Sequence, residues 1–249
     1  MAEKTVRLKI KRQLNADSSP FWEEFEIPYG PSMNVISCLV AIQENPVTRS
    51  GKKTTAVAWE CSCLEEVCGA CTMIINGKVR QACSALVDNI DQPIVLEPMT
   101  KFPVVRDLVV DRQRMFDNLK KVQAWVPVDG SFDMGPGPKL KESERAVHYE
   151  LSKCMTCGCC LEVCPQFEKD NDFMGAQIIS QVRLFNFHPT GAALKEDRLH
   201  SVMGKGGVAE CGNAQNCVEA CPKEIPLTTS IAEVGRQVTL QVMKDWFLK

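Results

Sequence analysis

The chain has 249 residues, 45% of them hydrophobic and 24% charged, and a formal net charge of −2 with a pI near 6.0. This is the composition of a soluble globular chain with room for two domains, and its near-neutral charge gives no electrostatic ground for a nucleic-acid partner. No apolar run reaches the roughly 18 residues that span a bilayer, and the charge-studded start "MAEKTVRLKIKRQ" is not a secretory signal, so a cytosolic chain is expected, free to dock on a membrane protein.

In chain order, "TVRLKIK" from Thr5 alternates apolar and charged residues as a half-buried strand does, and "FWEEFEI" from Phe21 does so loosely. Between Ser32 and Asn45, residues Val35, Ile36, Leu39, Val40 and Ile42 make an apolar helical face, with Cys38 on that face as a small core residue. "TMIINGKVRQAC" predicts a hairpin about Asn76-Gly77, a pair suited to the type I′ turn. From about residue 104 the character changes. "RDLVVDRQRMFDNLKKVQAW" has helical periodicity, 126–140 reads as a Gly/Pro-rich connecting loop, and "ERAVHYELSKC", "GAQIISQVRLFNF" and "TTSIAEVGRQVTLQVMKDWFLK" read as helices. The fold class expected is therefore α+β, with a β-rich domain over 1–104 and a helical domain over 105–249.

The compositional anomaly is the fourteen cysteines. Disulfides suit small secreted domains, whereas here all but Cys38 lie in three tight groups, the spacing that several ligands to one metal centre require. In the first, Cys63-x4-Cys68-x2-Cys71 with Cys83, which ends the strand that Asn76-Gly77 turns back, is the plant-type [2Fe–2S] pattern. Two irons bridged by sulfides need four thiolates: a wrapped loop delivers three, and the small Gly69 and Ala70 let backbone N–H groups approach the sulfur. Cys61 falls outside this complete set and reads as a non-ligand. The unequal spacing also disfavours a zinc ribbon, which uses paired C-x2-C units.

In the second group, Cys154-x2-Cys157-x2-Cys160-x3-Cys164-Pro165 is a full bacterial ferredoxin run, with Cys159 out of register as a bystander. In the third, Cys211, Cys217 and Cys221 hold the first, third and fourth positions of the same run, and Ala214 takes the second. Because the fourth cysteine of each run ligates the other cluster in two-cluster ferredoxins, one centre receives Cys154, Cys157, Cys160 and Cys221. The other receives Cys164, Cys211 and Cys217. A methyl group ligates no iron, so this second centre reads as [3Fe–4S] beside a [4Fe–4S]. The alternative is a solvent-capped [4Fe–4S] used as a Lewis acid, but no acid/base pair for such chemistry is nearby.

Three clusters make a wire without an entry or an exit. There is no G-x-G-x-x-G fingerprint and no C-x-x-C-H haem attachment, and the three histidines, His148, His188 and His200, are scattered. The terminal redox groups are expected in partner subunits.

This order of motifs resembles the iron–sulfur subunit of succinate dehydrogenases and fumarate reductases over essentially the whole chain. The resemblance implies a β-grasp plant-type ferredoxin domain followed by an all-α bacterial-ferredoxin-like domain. It also implies a succinate dehydrogenase (quinone) complex in which this chain carries electrons, binds no succinate and has no catalytic residue of its own. A flavoprotein with FAD feeds the [2Fe–2S] of Cys63, Cys68, Cys71 and Cys83, and a membrane cytochrome b and quinone drain the centre of Cys164, Cys211 and Cys217. In one branch of the family a Trp and a His of this subunit help form a ubiquinone pocket. Lys169 and Gly212 stand at those positions here, while Pro165 is retained and marks the quinone vicinity. "CLEEVCGAC", "FPVVRDL", "YELSKCMTCG" and "QVRLFNFHPTG" look more like the menaquinone-linked enzymes of Gram-positive bacteria. Those have a dihaem (haem b) cytochrome anchor, which places this chain on the cytoplasmic face of the cell membrane. The other readings are the same complex run as a quinol:fumarate reductase, the iron–sulfur subunit of another oxidoreductase, and a diffusing ferredoxin, although such carriers are shorter and more acidic.

Overall fold

Alternating apolar side chains make β1 (Thr5–Arg12), with Val6, Leu8 and Ile10 all buried and the residues between them turned outward. β1 pairs antiparallel with β2 (Phe21–Pro28), from Thr5 opposite Pro28 to Arg12 opposite Phe21. A computed structural model describes residues 4–127 and 139–247, so the loop expected at 126–140 lies mostly outside the described residues. The chain divides into two compact units, Met1–Arg112 with Met155–Glu162, and Gln113–Cys154 with Val163–Lys249.

In the first unit, β3 (Thr72–Ile75), β4 (Lys78–Gln81) and β5 (Ile94–Glu97) complete a five-stranded sheet of order β2-β1-β5-β3-β4, in which β5 runs parallel to β1. The helix α1 (Val35–Glu44) adds Val35, Leu39 and Ile42 to the core of this sheet. One helix held by a mixed sheet is the β-grasp expected. Cys38 is buried in that core, and burial pushes its thiol up to about 12. Val40 differs from expectation. It is 40% exposed, since one residue is about 100° of helical turn and carries it off the face of Leu39.

The stretch 104–112 also departs from its sequence reading. Instead of continuing a helix it forms a hairpin of β6 (Val104–Arg106) and β7 (Val109–Val110), and helix α2 is confined to Gln113–Lys121. The cause is Asp107, at φ 47° in the turn. Its buried carboxylate accepts hydrogen bonds from Arg12 Nε at 2.9 Å and Nη2 at 3.2 Å, and from the backbone N–H groups of Gln13 at 3.0 Å and Ala58 at 2.8 Å. Four donors on one carboxylate override the local helical periodicity.

The segment 155–162, distant in sequence, completes this unit. It carries the short helix α4 (Cys159–Glu162), and the buried Glu162 accepts from the Thr100 N–H at 2.8 Å, the Thr100 hydroxyl at 2.5 Å and the Lys101 N–H at 3.1 Å.

In the second unit α5 (Gly175–Phe187) is the central helix, with Ile178, Ile179 and Val182 fully buried. Around it pack α2, α3 (Glu142–Ser152), α6 (Lys195–Met203) and α8 (Leu227–Phe247), and the one-turn α7 (Asn216–Glu219) precedes α8. Arg198 is wholly buried; its guanidinium donates to the carbonyls of Gln123 at 2.9 Å, Gly191 at 2.5 Å and Trp125 at 2.8 Å. Those carbonyls satisfy a charge that would otherwise be prohibitive to bury. Among the described residues no helix is long and apolar enough to cross a membrane.

Candidate metal centres

The β3–β4 hairpin turns at Asn76 and Gly77, both at positive φ (46° and 76°), as a type I′ turn requires. Its register sets Thr72 opposite Gln81, and the Ala82 N–H donates to the Cys71 carbonyl at 3.1 Å, which brings the cysteines flanking the hairpin side by side. β4 stops at Gln81, so Cys83 lies just past the strand. Its carbonyl accepts from Asn34 Nδ2 at 2.9 Å, the residue that also caps α1 by accepting from the Ser37 N–H.

The loop from Cys63 to Cys71 is wound by three positive-φ residues, Leu64, Glu66 and Gly69. It turns its N–H groups onto sulfur: those of Glu65, Val67 and Cys68 lie 3.4, 3.3 and 3.3 Å from Cys63 Sγ, and that of Ala70 lies 3.4 Å from Cys68 Sγ. The Glu65 and Val67 N–H groups hold the Cys63 thiol down to about 7, with the thiol of Cys68 also bonded to it. Cys83 is bonded to Cys71 and senses Cys63, and burial is the chief reason its thiol is pushed up to about 11. Four thiols thus face one another under a set of N–H donors. A centre with thiolate ligands and bridging sulfide needs that donor set, and the residues present fit it. Arg112 clasps the loop, donating to the carbonyls of Gly69 at 2.8 Å and Ala70 at 3.2 Å and to Glu60 at 2.8 Å. Cys61 is exposed.

Cys157 and Cys160 sit in the segment that belongs with the first unit. Gly69, at φ 71°, packs so tightly on Cys157 that a Cβ there would stand 2.7 Å from the Cα and Cβ of Cys157. The Cys157 sulfur is bonded by the Cys159 thiol and the Cys159 N–H and feels the charge of Arg112; these hold it down to about 7, the Cys159 thiol foremost. Cys159 is 1% exposed, receives Gln81 Nε2 at 3.3 Å, and is driven strongly up by Cys157 and by burial. Cys154 follows α3 and Cys221 follows α7, both half-buried in the second unit.

Within the second unit, Cys164, Cys211 and Cys217 line one pocket, and Ala214 shares its wall. The Cys217 thiol is pushed up by burial first and then by its neighbours Cys164 and Cys211, so three sulfurs converge there. The 211–217 loop curls through positive φ at Asn213 (52°) and Gln215 (65°), and a Cβ on Gly212 would stand 2.6 Å from Gln166 Nε2. Asn216 Nδ2 ties the loop to the Val163 carbonyl at 3.2 Å. After Cys164, Arg114 fixes the chain by donating to the carbonyls of Glu168 at 2.7 Å, Asn171 at 2.5 Å and Phe173 at 2.9 Å. Pro165 and Gly212 belong to the same pocket, and Lys169 is exposed. Three thiols and a methyl fit a cluster with one corner unligated.

The histidines are occupied elsewhere. His148 stacks on Phe187 at 4.9 Å, His188 Nδ1 accepts the Gly191 N–H at 3.1 Å, and His200 bonds Asp245 at 2.9 Å. Sequence reasoning missed Asn34, Gln81, Arg112 and Arg114. Each acts on a partner distant in the chain, so no local pattern marks it.

A plant-type cysteine loop on a β-grasp, followed by a helical unit with bacterial-type cysteine runs, defines an iron–sulfur protein built from two kinds of ferredoxin module. Residues 7–117 match the family described as "2Fe-2S iron-sulfur cluster binding domain", and residues 150–225 match "4Fe-4S dicluster domain". The chain is 60% identical over 245 residues to the succinate dehydrogenase iron–sulfur subunit of Bacillus subtilis, covering 98% of this chain and 97% of that protein. It is 28% identical over 237 residues to the fumarate reductase iron–sulfur subunit of Wolinella succinogenes, covering 94% and 96%. Its fold is similar to a chain of the Mycobacterium smegmatis Sdh1 complex in the apo form, with a TM-score of 0.79 at 21% identity, covering 95% and 96%. The chain belongs to the family of succinate dehydrogenase and fumarate reductase iron–sulfur subunits.

Proposed function

We propose that this chain is the electron-carrying subunit of a succinate:menaquinone oxidoreductase. The ligands are Cys63, Cys68, Cys71 and Cys83 for a [2Fe–2S], Cys154, Cys157, Cys160 and Cys221 for a [4Fe–4S], and Cys164, Cys211 and Cys217 for a [3Fe–4S]. When bound, these clusters supply one-electron steps between the FAD of a flavoprotein partner and a quinone at the membrane. The observation that carries the reading is the contact of Gly69 with Cys157, which sets the ligand loop of the first centre directly on a ligand of the second.

The chain's own groups fit it for carrying electrons rather than for acid/base chemistry. The N–H groups of Glu65, Val67, Cys68 and Ala70 donate to cysteine sulfur, so added negative charge there meets dipoles already in place and little has to move. Arg112 holds the same loop rigid and places a cation near Cys157.

The partners are a flavoprotein and a membrane anchor. The anchor is taken as a dihaem cytochrome b that uses menaquinone, with this chain peripheral on the cytoplasmic face. Support for menaquinone comes from Lys169 and Gly212, which replace the Trp and His of the ubiquinone-linked branch, with Pro165 in the pocket beside the three convergent thiols. The 60% identical relative favours succinate oxidation over fumarate reduction. Purification from native membranes tests the proposal. A flavoprotein with bound FAD and a b-type haem protein are expected to co-purify, with succinate reducing a menaquinone analogue. Recovery as a lone chain with all clusters intact overturns it.

A further inference from the structure

Arg114, in the first turn of α2, turns its guanidinium onto the segment that leaves Cys164. Nη1 donates to the Glu168 carbonyl at 2.7 Å, and Nη2 to the carbonyls of Asn171 at 2.5 Å and Phe173 at 2.9 Å. The group also stands 4.4 Å from the centre of the Phe167 ring. Phe167 and Phe173 are both buried. The Phe167 N–H donates to the Cys164 carbonyl at 3.2 Å, and Phe173 lines the pocket of Cys164, Cys211 and Cys217. The cation is thus fixed to the segment near the cysteine through Phe167 and at the pocket wall through Phe173. Asn171 closes the same loop, accepting the N–H groups of Glu168 and Phe173 at 3.3 Å and donating to the Gln166 carbonyl at 2.7 Å. None of the acceptors named for Arg114 is a carboxylate, and carbonyls with a ring face solvate a cation without cancelling its charge. The charged group that acts on it is Asp172, which is exposed and paired with Lys205 at 2.5 Å.

We infer that Arg114 is a positioning residue of the [3Fe–4S] centre: it folds the segment leading from Cys164 and, as a fixed cation beside that centre, raises its reduction potential more than that of either other centre. The inference rests on the reading of Cys164, Cys211 and Cys217 as the ligands. Its physical basis is Coulombic. A positive charge held in partly buried surroundings stabilises the reduced, more negative form over the oxidised one. The centre takes one electron from its neighbour in the wire and passes the same electron on. No bond is made or broken in this role; only the balance between the two oxidation states moves.

The test is an EPR-monitored redox titration of all three centres in the purified complex. Arg114→Gln removes the charge and keeps an amide to donate to the carbonyls. It is expected to lower the [3Fe–4S] midpoint by an amount on the order of tenfold in its reduction equilibrium, about 59 mV for one electron, with the other two moved by less. Arg114→Lys keeps the charge without the planar fork and is expected to hold that midpoint near the native value. A lysine variant as low as the glutamine one would show that loop shape, not charge, sets the potential, and overturns the inference. A merely structural role would reduce cluster content while leaving the potential of the surviving centres unchanged, and that result, or an equal shift at all three centres, overturns it too. If neither Arg114 variant assembles, Asp172→Asn decides the matter from the surface. Removing the opposing charge is expected to raise the same midpoint, and an unmoved midpoint overturns the inference. The two levels separate cleanly. If the oxidised native complex shows no [3Fe–4S] signal, the ligand reading falls. If the signal is present and its midpoint is the same in Arg114→Gln, the inference alone falls.

Discussion

Gly69 and Cys157 are packed to the limit of what a glycine allows, since a methyl group at residue 69 would meet both Cα and Cβ of Cys157 at 2.7 Å. Real side chains do not tolerate that distance. The backbone of residue 69 also sits at φ 71°, which costs a non-glycine residue about 1–2 kcal/mol. Gly69→Ala is therefore expected to push two ligand loops apart. Iron and acid-labile sulfide content, read with EPR, should show loss from the [2Fe–2S] and [4Fe–4S] centres, with the [3Fe–4S] centre retained. A variant with all three at native occupancy contradicts the close approach.

Ala214 is the second position where one small side chain sets the chemistry. It shares a pocket wall with Cys164, Cys211 and Cys217, and the pocket holds three sulfurs where a cube needs four. Oxidised native protein is expected to show the EPR signal of a [3Fe–4S] centre. Ala214→Cys supplies the missing thiolate and should replace that signal with one that appears only on reduction, as a [4Fe–4S] centre gives. An unaltered signal in the variant would mean that residue 214 does not face the open corner.

Much of this architecture is legible in the sequence. The alternation in β1, the Asn76-Gly77 turn and the span of α5 are local properties, set by side-chain period and by backbone preference. The grouping of the cysteines was equally plain, because ligands on one loop must be near in sequence. What escaped depends on partners far apart in the chain. Asp107 breaks an apparent helix because Arg12, 95 residues earlier, meets it in the core, and Gln81 reaches the Cys159 sulfur from 78 residues away. A periodicity window contains neither partner.

That Arg12–Asp107 pair carries a third prediction. Both side chains are fully buried, and Arg12 Nη1 also pairs with Glu23 at 2.5 Å. Removing the cation strands a buried carboxylate, which typically costs about 3–5 kcal/mol. Arg12→Leu is expected to lower the thermal midpoint of the complex sharply. Arg12→Lys, which keeps the charge but loses the planar fork, should fall between. Equal midpoints for all three proteins would show that the pair is immaterial to stability.

Cys71 gives the most selective test of the first centre. It is buried, hydrogen-bonded to Cys83 and placed by the register of β3 with β4. Cys71→Ala should abolish or strongly alter the [2Fe–2S] EPR signal while the other two centres keep theirs. Loss of the other two with the first spared would reverse the assignment of the cysteine groups.

The segment 155–162 has a consequence for how the chain is made. Glu162 is the acceptor for the Thr100 and Lys101 N–H groups, and Cys159 is the acceptor for Gln81, so the first unit is unfinished while those residues are still inside the ribosome. Domains generally fold as they emerge, N-terminal first. Here the nascent β-grasp leaves the Thr100, Lys101 and Gln81 groups without these partners until helix α4 is delivered. Cutting the gene at the end of the sheet would release an incomplete fold.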